Sequence, residues 1–370
     1  MMTKRNVGVD LLRVIATVQV IILHILGQGG ILAAAPSGGA VYWTAWFLEI
    51  FAYCAVNCFG VISGYVMVDR RVKAKNIIVL WIQALFYSLL ISTLFFIFMP
   101  DTRSGKNLIA ALLPIVSRQW WYLSSYFGLF FLMPFINEAI KHISRQTYKK
   151  FLLAVMIVVC FIERLIPFGQ DAFSLGRGYS VIWLAVLYLF GAYVKKYEVD
   201  KKITAIQSLL GFFSMILLTF ASKYAFWYLP ETVLGFAKEE NTFVSYLSIT
   251  ILLAAVFLLL FCLRLSFGGV GAKIVGILSP VALGVYMIHV HPFVFRRLLT
   301  DLYVPFINYH PAVMTLCVLG AALGMFVVCG VIEWLRILLF RLIRVDRFSE
   351  FLARCLNRLY AAIFERKTEN

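Results

Sequence analysis

Ten stretches of this 370-residue chain are apolar for long enough to approach or exceed a bilayer crossing. The hydrocarbon core is about 30 Å thick and takes about 20 residues of helix. The stretches fall at about 9–27, 43–68, 77–99, 120–138, 151–166, 180–195, 203–229, 243–263, 275–299 and 312–335. In lipid, backbone N–H and C=O groups find no water, so such segments must satisfy them internally as helices. The expected fold is all-α: a polytopic membrane bundle of about ten transmembrane helices. Composition agrees, because 62% hydrophobic and 14% charged residues exceed what a soluble domain of this size can bury.

The net charge of +16 would suggest a nucleic-acid partner in a soluble protein, but here the charges follow the connections. Alternate connections and both terminal segments carry 24 Lys and Arg, and the opposite set carries five. The positive-inside rule then puts both termini in the cytoplasm, and no nucleic-acid partner is expected. Lys4, Arg5, the apolar run 14–26 and Ala33–Ala35 imitate a cleavable leader. Asp10 and Arg13 interrupt that run, so the segment is expected to stay as the first span.

Residues 1–335 are expected to form one transmembrane unit, with 336–370 a basic amphipathic cytoplasmic tail. Phe348, Phe351, Leu352, Cys355, Leu356 and Leu359 recur at helical spacing, with Arg347, Arg354 and Arg358 off that stripe. Such a helix lies along an anionic inner leaflet or binds a partner. The seven cysteines show no metal spacing and no disulfide framework; Cys54 and Cys58, one turn apart, read as small buried hydrophobes. No metal is expected.

The first span carries Asp10, Arg13 and His24. Eleven residues at about 100° each make about three turns, so Arg13 and His24 share one face, about 16 Å apart along the axis. Asp10 lies one turn before Arg13 on the same side. Ionisable groups inside a spanning helix cost about 2.5–3.5 kcal/mol each on insertion scales and point to function. Arg13 can pair with Asp10 or hold an anionic cofactor, and His24 can act chemically or bridge two helices.

Glu49 in the second span lies at a depth similar to His24, where it can orient the imidazole or simply face water. Asn57 and then Ser63-Gly64-Tyr65 follow further in; Gly64 permits close backbone approach and Ser63 offers a small donor near the depth of Arg13. Trp120-Trp121-Tyr122 opens the fourth span, as an aromatic belt or a sugar-stacking platform. His289 precedes His291-Pro292 in the ninth span, and the proline must disturb that helix. Arg296 and Arg297 can bind an anionic acceptor or reach to the interface.

Arg13-x10-His24, Phe59-Gly60-Val61-Ile62-Ser63-Gly64-Tyr65, Trp121-Tyr122-Leu123 and Tyr286-Met287-Ile288-His289 occur in that order. Together they resemble the membrane acyltransferase-3 family, ten-span enzymes that O-acylate cell-surface glycans. The resemblance covers roughly residues 5–335. It implies transfer of acetyl, or sometimes succinyl, from cytoplasmic acyl-CoA to sugar hydroxyls outside a bacterial plasma membrane. It also implies that Arg13 and His24 are the functional pair, with Ser63 and Gly64 beside them. Many members carry Arg-x-x-Arg entering the third span; here Arg70, Arg71, Lys73 and Lys75 stand near that position.

The expected reaction places CoA phosphates at Arg13, assisted by Asp10, Ser63, Gly64, Arg70, Arg71 and Lys73. His24, with Glu49, serves as general base or acyl carrier. Trp121, Tyr122, His289 and Asn57 are expected on the acceptor, a surface polysaccharide or lipid-linked glycan. Acetyl-CoA is then a co-substrate. The rival class is a transporter or flippase for a glycan or lipid precursor, but Asp10, Glu49, Glu163 and Glu333 lie toward span ends and no half-repeat is visible. A non-catalytic scaffold would give no reason for the Arg13–His24 stripe.

Overall fold

The computed structural model describes residues 6–165, 171–229 and 241–364. Lys4, Arg5, Lys238, Arg366 and Lys367, which enter the charge asymmetry, and the side chain of Leu359 lie outside the described residues. Helices account for the regular structure, with no strand among the described residues.

The chain runs through α1 (Val7–Leu26), α2 (Ile31–Ala34), α3 (Ala40–Ala52), α4 (Ala55–Met67), α5 (Ala74–Phe98), α6 (Gly105–Leu112) and α7 (Trp121–His142). α8 (Arg145–Ala154) continues as a π-helical stretch, Val155–Ile162, and a last turn, Glu163–Leu165. Then come α9 (Val181–Lys196), α10 (Ala205–Tyr228), α11 (Ile249–Arg264), α12 (Gly269–Leu278), α13 (Ala282–His289), α14 (Pro311–Leu342) and α15 (Val345–Phe364). Among the described residues each of the ten apolar stretches contains helix. Among the described residues seven helical segments are long and apolar enough to cross a membrane, and α11 is a shorter apolar helix.

α1 runs through the middle of the bundle, packed by α3, α4, α11, α12, α13 and α14. Asn6 caps it, its side-chain oxygen accepting from the N–H groups of Gly8 (3.0 Å) and Val9 (3.2 Å). This central position is why the polar groups of α1 face protein rather than lipid. The second apolar stretch is two helices, broken between Ala52 and Ala55. Gln19 of α1 donates 3.1 Å to the Phe51 carbonyl at that break.

α4 and α9 meet backbone to backbone. A Cβ on Gly64 would sit 1.8 Å from the Tyr188 carbonyl oxygen, and one on Gly191 would sit 1.9 Å from that of Val61. Small residues that let helices touch in this way are a main adhesive inside membranes. The ninth stretch is likewise divided: α12, a 3₁₀ turn at Ser279–Val281, then α13, which ends at His289 ahead of Pro292.

The boundary expected at 335/336 falls within α14, which continues to Leu342. The tail helix α15 docks on α5: Lys75 Nζ reaches Glu350 at 2.7 Å and Asp346 at 3.5 Å. Val345, Ser349 and Ala353 are buried there, while Phe348, Phe351 and Leu356 stay exposed.

Candidate active site

One cavity of about 490 Å³ opens along α1, with Arg13 and His24 both in its wall. The helical spacing that puts these side chains on one face therefore aims both into the same space. The wall is mostly apolar, with Ser63, Asn76, Gln83 and Ser279 and several tyrosines supplying its polar groups.

Arg13 Nη1 donates 2.7 Å to Asp10 Oδ1, and that same oxygen accepts from Ser279 Oγ at 3.0 Å. Asp10 is buried and does not line the cavity, so it holds Arg13 in place. The Arg13 side chain remains 34% exposed. A guanidinium has five N–H donors, and the Asp10 bond engages one, which leaves the fork able to take an anion.

His24 Nδ1 lies 3.0 Å from His289 Nε2, and His289 Nδ1 lies 2.6 Å from the Val285 carbonyl oxygen. A carbonyl only accepts, so His289 carries its proton on Nδ1 and, when neutral, accepts at Nε2. His24 must then donate from Nδ1, which leaves the lone pair on its own Nε2. This chain of donors fixes the tautomer a general base needs. Phe295 packs edge-on against the His24 ring at 5.0 Å between centroids.

Glu49 was expected to orient His24; His289 fills that place instead. Glu49 is buried on α3 with Oε2 unpaired among the described residues, in the neighbourhood of Tyr53, Tyr179 and Tyr246. Those rings form an aromatic group with Trp121. Trp121 lies 4.4 Å from Tyr179 and is stacked at 6.4 Å on Tyr246; Tyr53 lies 4.8 Å from Tyr246. Trp121, Tyr122, Tyr179 and Tyr246 all line the same cavity as His24. Burial pushes the Tyr179 phenol above its ordinary range, so it stays protonated at neutral pH.

A family model described as an acyltransferase domain, Acyl_transf_3, matches residues 6–334. The chain belongs to the acyltransferase-3 family. None of the curated proteins or solved structures compared with it matches. The match spans the cavity and every element around it, and it makes the chain a membrane acyltransferase.

Other expected site residues of this acyltransferase sit differently. Asn57 is fully buried and does not line the cavity. Its amide nitrogen donates 2.8 Å to the Tyr246 carbonyl, and its oxygen accepts from the Trp183 indole at 3.2 Å. It thus braces the Tyr246 segment rather than facing the cavity. Gly64 serves the α4–α9 contact, whereas Ser63 lines the cavity and donates 2.8 Å to the Phe59 carbonyl. Arg70, Arg71 and Lys73 are exposed in the connection before α5 and lie outside the cavity wall, which begins on that side at Asn76 and Ile77.

Sequence reasoning missed three features of the acyltransferase site. Trp120 is buried, and its indole donates 3.0 Å to the Met287 carbonyl, tying the start of α7 to α13. Gln83, in the cavity wall, donates 3.2 Å to Glu333, which also accepts from Tyr87 at 2.5 Å and pairs with Arg336. Tyr286 lines the cavity one turn before His289; it stood in the quoted motif without a role. Among the described residues no three His, Cys, Asp or Glu side chains cluster as a metal site.

Proposed function

We propose that this acyltransferase moves an acyl group, acetyl in the first instance, from cytoplasmic acyl-CoA to a glycan hydroxyl outside. The acceptor is a surface polysaccharide or a lipid-linked glycan intermediate. The observation that carries the reading is a single cavity walled by both Arg13 and His24, three turns apart on α1. An extended pantetheine arm spans a distance of the order of the ~16 Å between them. In this reading the chain crosses a bacterial plasma membrane ten times with both termini inside. The basic tail helix then lies at the inner leaflet through its exposed Phe348, Phe351 and Leu356.

CoA phosphates sit at the inner mouth on Arg13, with Arg70, Arg71 and Lys73 contributing from the adjoining connection. Gln83 and Ser63 give the arm polar contacts along a mostly apolar path. The thioester reaches His24, whose unprotonated Nε2 takes the proton of the acceptor hydroxyl or itself carries the acyl group. Trp121, Tyr122, Tyr179 and Tyr246 form the face against which a sugar ring stacks, with Glu49 behind them.

The test uses purified protein in nanodiscs with labelled acetyl-CoA. Arg13→Ala is expected to lose donor binding, and His24→Ala to bind the donor but lose acetyl transfer and hydrolysis. Folded wild type that binds no acyl-CoA, or His24→Gln with full activity, overturns the reading.

A further inference from the structure

Transfer of an acyl group from a thioester passes through a tetrahedral carbon whose former carbonyl oxygen carries negative charge. In a site shielded from water, that charge needs a donor already in place. His24 offers none, because its Nδ1–H is engaged by His289 and its Nε2 receives a proton. We propose that the Tyr286 hydroxyl is the donor that stabilises this oxyanion, an assignment that rests on the acyl-CoA reading above.

Tyr286 lines the cavity, as His24 does. Its ring lies 6.3 Å from that of His289 and 6.4 Å from that of Tyr122. The hydroxyl oxygen is buried, and its proton finds no acceptor in hydrogen-bonding geometry among the described residues. The Tyr122 backbone lies near it, but a backbone N–H is itself a donor, so the phenolic proton still lacks an acceptor. Three fully buried tyrosines, by contrast, are matched: Tyr87 donates to Glu333, Tyr148 to the Leu189 carbonyl and Tyr188 to Asn137. Leaving a buried hydroxyl unmatched costs about 1–3 kcal/mol, which argues for a ligand acceptor at this point.

The start of α7 supports the same site. Trp121, Tyr122 and Leu123 occupy the first turn of this 22-residue helix, no side chain caps it, and all three residues line the cavity. The positive end of the helix dipole therefore borders the space where the oxyanion forms.

The acceptor oxygen bonds the thioester carbonyl carbon while its proton passes to His24 Nε2. The π pair of the C=O bond moves onto oxygen, which accepts the Tyr286 hydrogen bond. Collapse re-forms the C=O, breaks the C–S bond, and returns the His24 proton to the departing sulfur. The products are the acyl ester and CoA thiol.

Tyr286→Phe keeps the ring and removes the donor. In nanodiscs its single-turnover acetyl transfer is expected to fall about 10²–10³-fold while acetyl-CoA affinity stays within about threefold of wild type. A second readout compares a trifluoromethyl-ketone analogue of acetyl-CoA, which mimics the tetrahedral state, with the plain ketone. Wild type should prefer the former, and Tyr286→Phe should lose that preference. Turnover within about threefold of wild type, or a loss carried by donor binding, overturns the proposal. If Tyr286→Phe folds poorly, 3-fluorotyrosine at 286, a more acidic donor of nearly the same shape, must change turnover but not donor binding; unchanged turnover overturns the assignment. No donor turnover by folded wild type removes the acyl-CoA reading itself, whereas full turnover by Tyr286→Phe removes the oxyanion role alone.

Discussion

Replacing His289 with Phe tests the tautomer argument directly. Phe keeps an aromatic ring beside Tyr286 but offers His24 Nδ1–H no acceptor in place of the 3.0 Å contact. The buried N–H then loses about 1–3 kcal/mol, and moving the ring proton to Nε2 relieves that loss by bonding elsewhere. At about 1.4 kcal/mol per decade, a bias of that size lowers the base-competent fraction roughly 5- to 150-fold. Lost ring orientation adds to this, so the expected fall in turnover is about 10²–10⁴-fold, within the range for losing a positioned base. His289→Gln retains a carbonyl-type acceptor and should fall no more than about tenfold. The assay is single-turnover acetyl-CoA hydrolysis or transfer in nanodiscs, with donor binding measured separately. Phe and Gln variants that lose activity equally, or a Phe variant at the wild-type rate, would refute the reasoning.

Gly64→Ala drives a Cβ to 1.8 Å from the Tyr188 carbonyl oxygen, so α4 and α9 must separate. It should cost at least about 1–3 kcal/mol of stability, and an unshifted thermal unfolding curve in detergent would contradict this. Asn57→Leu strips partners from the Tyr246 carbonyl and the Trp183 indole, at about 1–3 kcal/mol each. It should lower the melting temperature and weaken acceptor use while donor binding persists, as kinetics at saturating acetyl-CoA will reveal. Lys75 holds the Glu350 carboxyl below its ordinary range, through a hydrogen bond and its charge. The tie between α15 and α5 is thus present at neutral pH, is lost as pH falls through that lowered value, and weakens in high salt. Spin-label distances across α5 and α15 should lengthen in acid, and Lys75→Gln should remove that response.

Helix positions were legible because helical periodicity and hydropathy are local. Every apolar stretch found a helix, and the eleven-residue step from Arg13 to His24 correctly gave a shared face opening on one cavity. The site's supporting contacts were less legible. Glu49 shares an approximate depth with His24, yet depth alone does not say which side chain on a neighbouring helix faces the ring. Asn57 looked like a polar group awaiting a ligand, but its partners are a backbone carbonyl 189 residues away and an indole 126 residues away. Arg70, Arg71 and Lys73 can be placed near a span end from sequence, but not inside or outside a cavity wall.

The sequence by itself determined a helical membrane chain, the order of its apolar helices and the common face of Arg13 and His24. These follow from the length of apolar runs, the 3.6-residue turn and the need to satisfy backbone groups within lipid. Only the tertiary structure decided that His289, 265 residues from His24, fixes its tautomer, that Gly64 joins two helices, and that Tyr286 carries an unmatched proton beside the cavity. Contacts between membrane helices depend on where small residues let backbones meet and on hydrogen bonds between distant segments. Neither leaves a periodic trace along the chain.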